Sequence, residues 1–104
     1  MIELTIPNKE ILNKNYVKEF KYGAINMDNS DQETLRNIKI GEKIEIIINL
    51  PFVNVSVKTK GRISFISKKS IVFSFENSEE SIELKNKIES ILIDQKYNNN
   101  NIYQ

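Results

Sequence analysis

The chain contains no cysteine, no histidine and no tryptophan, and only three glycines, two prolines and two arginines among its 104 residues. Without cysteine or histidine it has no thiolate nucleophile, no disulfide, no imidazole base and almost no means of holding zinc or copper. So few glycines leave little material for a backbone nest around phosphate. No Gly-x-Gly-x-x-Gly, Walker or Gly-x-Ser-x-Gly pattern is present. Uninterrupted apolar runs stop at three residues, as in Ile46-Ile47-Ile48, far short of the roughly 20 needed to span a bilayer as a helix. The opening Met-Ile-Glu-Leu has neither a basic segment nor a long apolar one behind it, so no secretory signal is expected. These absences together predict a soluble, cytoplasmic protein without membrane insertion.

Carboxylates, lysines, tyrosines and serines remain as chemistry. The acids alternate along exposed strand faces or gather where the last helix starts, which are positions of solvated surface. The expectation is a non-enzyme, with no catalytic residue, no metal and no cofactor. Thirteen lysines and two arginines face fourteen acids, a net charge of +1. That balance argues against a nucleic-acid partner, whose phosphates call for a basic surplus. Ile, Lys and Asn make up 45 of the 104 residues, a bias that reads as AT-rich codon usage and strips lysine or asparagine abundance of functional meaning.

The organisation follows from periodicity. "IELTI" (2–6) alternates with period two, and Pro7 ends it, so a strand is predicted with Ile2, Leu4 and Ile6 on one face. Asn8 can cap a helical turn that turns Ile11 and Leu12 to the core. "GAINM" (23–27) reads as a short strand. The polar stretch 28–38 is a connection, and "EKIEIIINLP" is the clearest strand, with Ile44, Ile46, Ile48 and Leu50 sharing a face. Val53, Val55 and Val57 then begin a long strand through "GRISFIS", expected to bulge at Gly61. Lys68-Lys69-Ser70 turns the chain, and "IVFSF" returns with Ile71, Phe73 and Phe75 inward. From Asn77 the period changes to that of a helix. Caps and acids come first, then an apolar stripe of Leu84, Ile88, Ile91 and Leu92. Residues 96–104, "KYNNNNIYQ", form a low-complexity tail expected to be disordered. The fold class predicted is mainly β, a small antiparallel β-barrel or sandwich closed by a C-terminal α-helix, in one domain over residues 1–95.

Several of these pieces carry a resemblance. "GEKIEIIINLP" (41–51), "GRISF" (61–65), "IVFSF" (71–75) and the helix from Glu79 are laid out as in a PilZ domain. "LTIPNKEILNKNYVKEFKYGAI" (4–25) and "KNKIESIL" (85–92) are similar to the stand-alone PilZ proteins of type IV pilus assembly. Tyr16 and Gly23 fall on that subgroup's tyrosine and glycine, while Phe20 lies one place later than its aromatic. Phe65 stands where the subgroup has tryptophan. The resemblance implies a PilZ-type barrel and a cytoplasmic adaptor in pilus biogenesis and twitching motility. Its implied partner is the pilus extension ATPase, with a cyclic di-GMP phosphodiesterase-like receptor as a possible second. Protein-binding residues expected on this basis are Tyr16, Phe20 and Phe65, aromatics being enriched among interface anchors. For Phe20 and Phe65 core packing is an equal alternative.

The family's cyclic di-GMP receptors use an Arg-x-x-x-Arg pair and an [Asp/Asn]-x-Ser-x-x-Gly turn. Asp28-Asn29-Ser30 matches the start of that turn, but Glu33 occupies the glycine position, and both arginines, Arg36 and Arg62, lie downstream. Lys14 and Lys18 have the spacing of the arginine pair without a guanidinium fork. The triplet therefore reads as a turn, with no direct cyclic di-GMP binding expected. A divergent receptor using Lys14, Lys18 and Ser30 is the alternative, and an RNA-associated barrel is a third. Lysines clustered on one face would favour RNA, and scattered ones would not.

Overall fold

The computed structural model describes residues 2–28 and 37–102, with side chains through residue 93. Six strands and two helices make up the described chain: β1 (Ile2–Thr5), α1 (Lys9–Asn15), β2 (Tyr16–Val17), β3 (Ala24–Asp28), β4 (Lys43–Leu50), β5 (Val55–Ile66), β6 (Ser70–Phe75) and α2 (Glu79–Ile102). The strands join in one sheet of order β1-β4-β5-β6-β3-β2, curled into a half-barrel. Its core face carries Ile2, Ile25, Ile46, Ile48, Leu50, Ile63, Ile71, Phe73 and Phe75, all buried, and α2 covers them with Leu84, Ile88 and Ile91. Each such side chain removed from water contributes about 1.5–3 kcal/mol.

Two features depart from a closed antiparallel barrel. β1 runs parallel to β4, because α1, β2 and β3 intervene and return the chain in the same sense. The end strands β1 and β2 do not pair with each other, so the sheet stays open and α2 supplies the cover. β2 itself was not legible in advance, since two residues are too few for a period. It is recruited by β3, through Tyr16 opposite Ile25 and Val17 opposite Ala24.

Local chemistry sets the element ends. Asn8 caps α1, its Oδ1 accepting from Ile11 N–H at 2.9 Å. Leu12 is fully buried, whereas Ile11 is 37% exposed. Neighbouring positions on a helix point about 100° apart, so this short helix buries one of the two and not both. Pro51–Val53 form a 3₁₀ turn closed by Asn54 in the left-handed region (φ 56°, ψ 45°), so Val53 belongs to the turn and β5 starts at Val55.

Ser78 caps α2 by accepting from Ser81 N–H at 3.2 Å. The buried Ser81 hydroxyl meets that of Thr59 on β5 at 2.6 Å, which pins the start of the helix to the sheet. Glu79 and Glu80 sit in its first turn, where the helix dipole favours negative charge. The helix backbone continues through the Asn-rich segment to Ile102.

The irregularity in β5 is not at Gly61. Gly61 is in regular register, opposite Ile44 on one side and Phe75 on the other. The register shifts between Ile63 and Phe65. Since strand side chains alternate with period two, one extra residue there sends everything beyond it to the opposite face. Ile63 is buried and Phe65 is 52% exposed on the outer face. The alternative that Phe65 packs in the core, on the face of Ile63, is corrected by this bulge.

Candidate interaction site

The outer face around the bulge is built from three adjacent strands. Phe65 on β5 lies opposite Val72 on β6, and Val72 lies opposite Asn26 on β3. This places Phe65, Val72 and Asn26 in one cross-strand row. Val72 and Asn26 are partly exposed. Asn26 Oδ1 is nonetheless buried without a hydrogen-bond partner among the described residues, an arrangement that costs on the order of 1–3 kcal/mol. A serine cluster holds the bulge in shape, with Ser64 and Ser74 hydroxyls in contact and Ser74 Oγ donating to Arg62 O at 3.2 Å. Beyond it, Ser67 closes the β5–β6 hairpin by accepting from Ser70 N–H at 3.1 Å, and the exposed Lys68 and Lys69 form its tip. The result is a large aromatic side chain held out in solvent on a well-ordered, hydrogen-bonded strand pair.

Tyr16 occupies the other side of the sheet. It lies opposite the core residue Ile25 and packs half-buried against the core. Its hydroxyl donates to Glu89 Oε2 on α2 at 3.1 Å, and Lys85 Nζ reaches the same oxygen at 2.8 Å. Burial raises the Tyr16 pKa above its usual 10.0, and the adjacent Glu89 charge adds to that, so the phenol stays protonated as a donor. Lys85 holds the Glu89 carboxyl below its usual 4.5, with burial opposing and the Tyr16 hydrogen bond assisting. Gly23 makes room for the tyrosine, with φ of +86° and a would-be Cβ 3.0 Å from the Tyr16 hydroxyl. Tyr16 is thus a fastener between β2 and α2.

This fastening has a pH signature. Because the folded-state pKa of Glu89 is depressed, its contribution is present above the ordinary value and lost as pH falls through the depressed one. Glu89→Gln is expected to flatten the decline in urea midpoint below pH 4.5. Its cost at neutral pH should stay under about 1 kcal/mol, since the pair is partly solvated. An unchanged acid-side profile would show that Glu89 plays no part in it.

Phe20 lies in the turn between β2 and β3, half-buried, its carbonyl accepting from Gly23 N–H at 3.0 Å. It is not among the side chains packed on the core, whereas Tyr22 is. The three aromatics singled out in the sequence therefore do not form one patch: Tyr16 faces the core and α2, and Phe65 faces outward. Val72 and Asn26 were not identified from sequence, because their place beside Phe65 depends on the bulge.

Of the other candidates, Asp28 ends β3, while Asn29, Ser30, Glu33 and Arg36 lie outside the described residues. Lys14 and Lys18 are exposed, one in the last turn of α1 and one just past β2. The described lysines are spread over α1, the turn between β2 and β3, β4, β5, the β5–β6 hairpin and α2. Lys43 pairs with Glu76 at 3.5 Å, Lys58 with Glu45 at 3.7 Å and Lys85 with Glu89 at 2.8 Å. Among the described residues no group of three or more acids is placed to hold a metal ion, and no helix is long and apolar enough to cross a membrane. No protein-family model and no curated protein matches the chain.

Proposed function

We propose that this protein is a non-catalytic adaptor that docks on another protein through the outer-face patch centred on Phe65. The observation that carries the reading is the bulge, which turns a phenylalanine from the core side to solvent and leaves it 52% exposed. An aromatic on a rigid strand loses little conformational freedom on binding and buries a large area, the usual make-up of an interface anchor. Asn26, in the same row, has its side-chain oxygen buried without a hydrogen-bond partner among the described residues, which supports a role for this face other than holding the fold together.

The resemblance to pilus-assembly PilZ proteins supports a particular partner, the extension ATPase of the type IV pilus, with a cyclic di-GMP phosphodiesterase-like protein as a second. The adaptor would act by stabilising one conformation of the ATPase or by relaying a signal to it. Acid-paired lysines scattered over several elements support a protein partner over RNA.

The test is titration of the purified protein with the pilus ATPase of its own cell, in wild type and Phe65→Ala, alongside cyclic di-GMP alone. Expected are saturable binding of the ATPase, at least tenfold weaker in Phe65→Ala, and no heat from the dinucleotide. Unchanged ATPase affinity in Phe65→Ala would remove the assigned surface. Binding of cyclic di-GMP without the ATPase would make the protein a receptor.

A further inference from the structure

At one end of the sheet, β1 presents an edge that fits a second copy of itself. Ile6 N–H donates to Asn49 O at 2.9 Å, so the backbone groups of the even-numbered residues point at β4. Successive residues of a strand direct their N–H and C=O to opposite sides. Those of Glu3 and Thr5 consequently point away, and among the described residues no backbone group pairs with them. An open edge of this sort is a template for another strand.

The pattern of the strand selects the occupant. Ile2-Glu3-Leu4-Thr5-Ile6 has the same order of apolar and polar residues from either end, with Leu4 at the centre. A two-fold interface is self-complementary, each residue meeting its counterpart by the same rotation, and this strand can meet its own reverse with apolar facing apolar and polar facing polar. We infer that β1 pairs antiparallel with β1 of a second copy, about a two-fold axis at Leu4, joining the two sheets into one.

The register follows from hydrogen bonding and charge. With the axis at Leu4, Glu3 stands opposite Thr5 of the second copy and exchanges both backbone hydrogen bonds with it. Thr5 does the same with the other Glu3, giving four bonds in all. Leu4 meets Leu4 at the closely spaced, non-hydrogen-bonded position, and Ile2 meets Ile6. A register centred on Glu3 would set two carboxylates face to face, which is unfavourable. One centred on Thr5 would oppose Glu3 to Pro7, which has no N–H to give. Of these three, only the Leu4 register pairs the outward groups of both Glu3 and Thr5 without opposing like charges or meeting a proline. Asn49 Nδ2 on β4 donates to Glu3 Oε2 at 3.0 Å and to Thr5 Oγ1 at 3.3 Å, which ties these two side chains to the outer face of the sheet and leaves their outward backbone groups at the edge. This surface lies on β1, at the end of the sheet away from β3, so one copy could bind its partner through Phe65 while paired through β1.

The experiment is sedimentation velocity on the full chain from about 10 μM to about 1 mM, the range of small, transient interfaces. Wild type is expected to pass from monomer to dimer across it. Thr5→Lys sets a cation opposite Glu3 twice per dimer, and Thr5→Glu sets two acids there. The first should tighten association by about threefold or more and the second weaken it by at least as much. Thr5→Pro removes an edge N–H that β4 does not use, and should leave the melting curve near wild type while lowering dimer content. A monomer at every concentration would overturn the inference. So would dimerisation equal in wild type, Thr5→Lys and Thr5→Glu, which would assign it to another surface.

Discussion

Gly61→Ala is expected to lower stability by about 3 kcal/mol or more, although it adds a single methyl group. A Cβ at position 61 would stand 2.1 Å from the backbone oxygen of Ser74, 2.7 Å from Phe73 Cζ and 2.9 Å from the Ser74 carbonyl carbon. Two of those three atoms are backbone of the neighbouring strand, so no rotamer change can relieve the overlap. β5 and β6 would have to separate, straining the adjacent bond from Glu76 N–H to Lys60 O, now 3.1 Å. Total stability for a domain of this size is about 5–15 kcal/mol, so the loss is a large share of it. Urea unfolding is the measurement, with the midpoint expected to fall by more than about 1 M. A shift corresponding to less than about 1 kcal/mol would mean that the two strands do not approach as closely as the geometry requires.

Phe73→Ala should be comparably damaging, at about 3–5 kcal/mol. Phe73 is fully buried and lies between Ile63 on β5 and Ile25 on β3. Its ring meets that of Phe75 edge to face, centroids 5.5 Å apart and planes at 67°, an arrangement worth about 0.5–1.5 kcal/mol beyond burial. Truncation loses these contacts and leaves a cavity, because strands paired on both sides cannot collapse into the space. Phe65→Ala is the contrast. Half-exposed on the outer face, it should change stability by about 1 kcal/mol or less while removing the proposed anchor. Equal losses from the two would show that Phe65 is a core residue and would end the case for the patch.

The same pair marks where sequence reasoning reaches and where it stops. Phe73 was legible: it sits in the alternation Ile71-Phe73-Phe75, and β6 keeps its period from end to end. Phe65 was recognised as a candidate anchor without its face being decidable. Alternation with Ile63 argues for the core, and only pairing with β6 shows that the register slips between them. The extra residue was expected at Gly61, on the ground that glycine often marks a bulge. Here glycine serves instead the close approach of Ser74. The single sequence of β5 is compatible with either explanation, because both depend on what lies beside the strand.

Tyr16 illustrates the same limit from the other direction. Its likeness to a motif position singled it out as a contact residue, aromatics being enriched among interface anchors. Its hydroxyl is bound by Glu89, 73 residues further on, a separation no local pattern can express. The cap at Asn8, the stripe Leu84-Ile88-Ile91 and the core face of β4 were all legible because each depends on residues within one or two turns of chain.

What the sequence determined by itself is therefore local. The missing cysteine and histidine set the available chemistry, and periods of two and of 3.6 residues marked where most strands and the long helix run. The tertiary structure decided three further things: that β1 joins in parallel and leaves the sheet open, that β5 bulges at Ser64 and turns Phe65 outward, and that Tyr16 fastens a helix. Each of these depends on contacts between segments distant along the chain. Their energies depend on which strands become neighbours, and that information does not reside in any one segment.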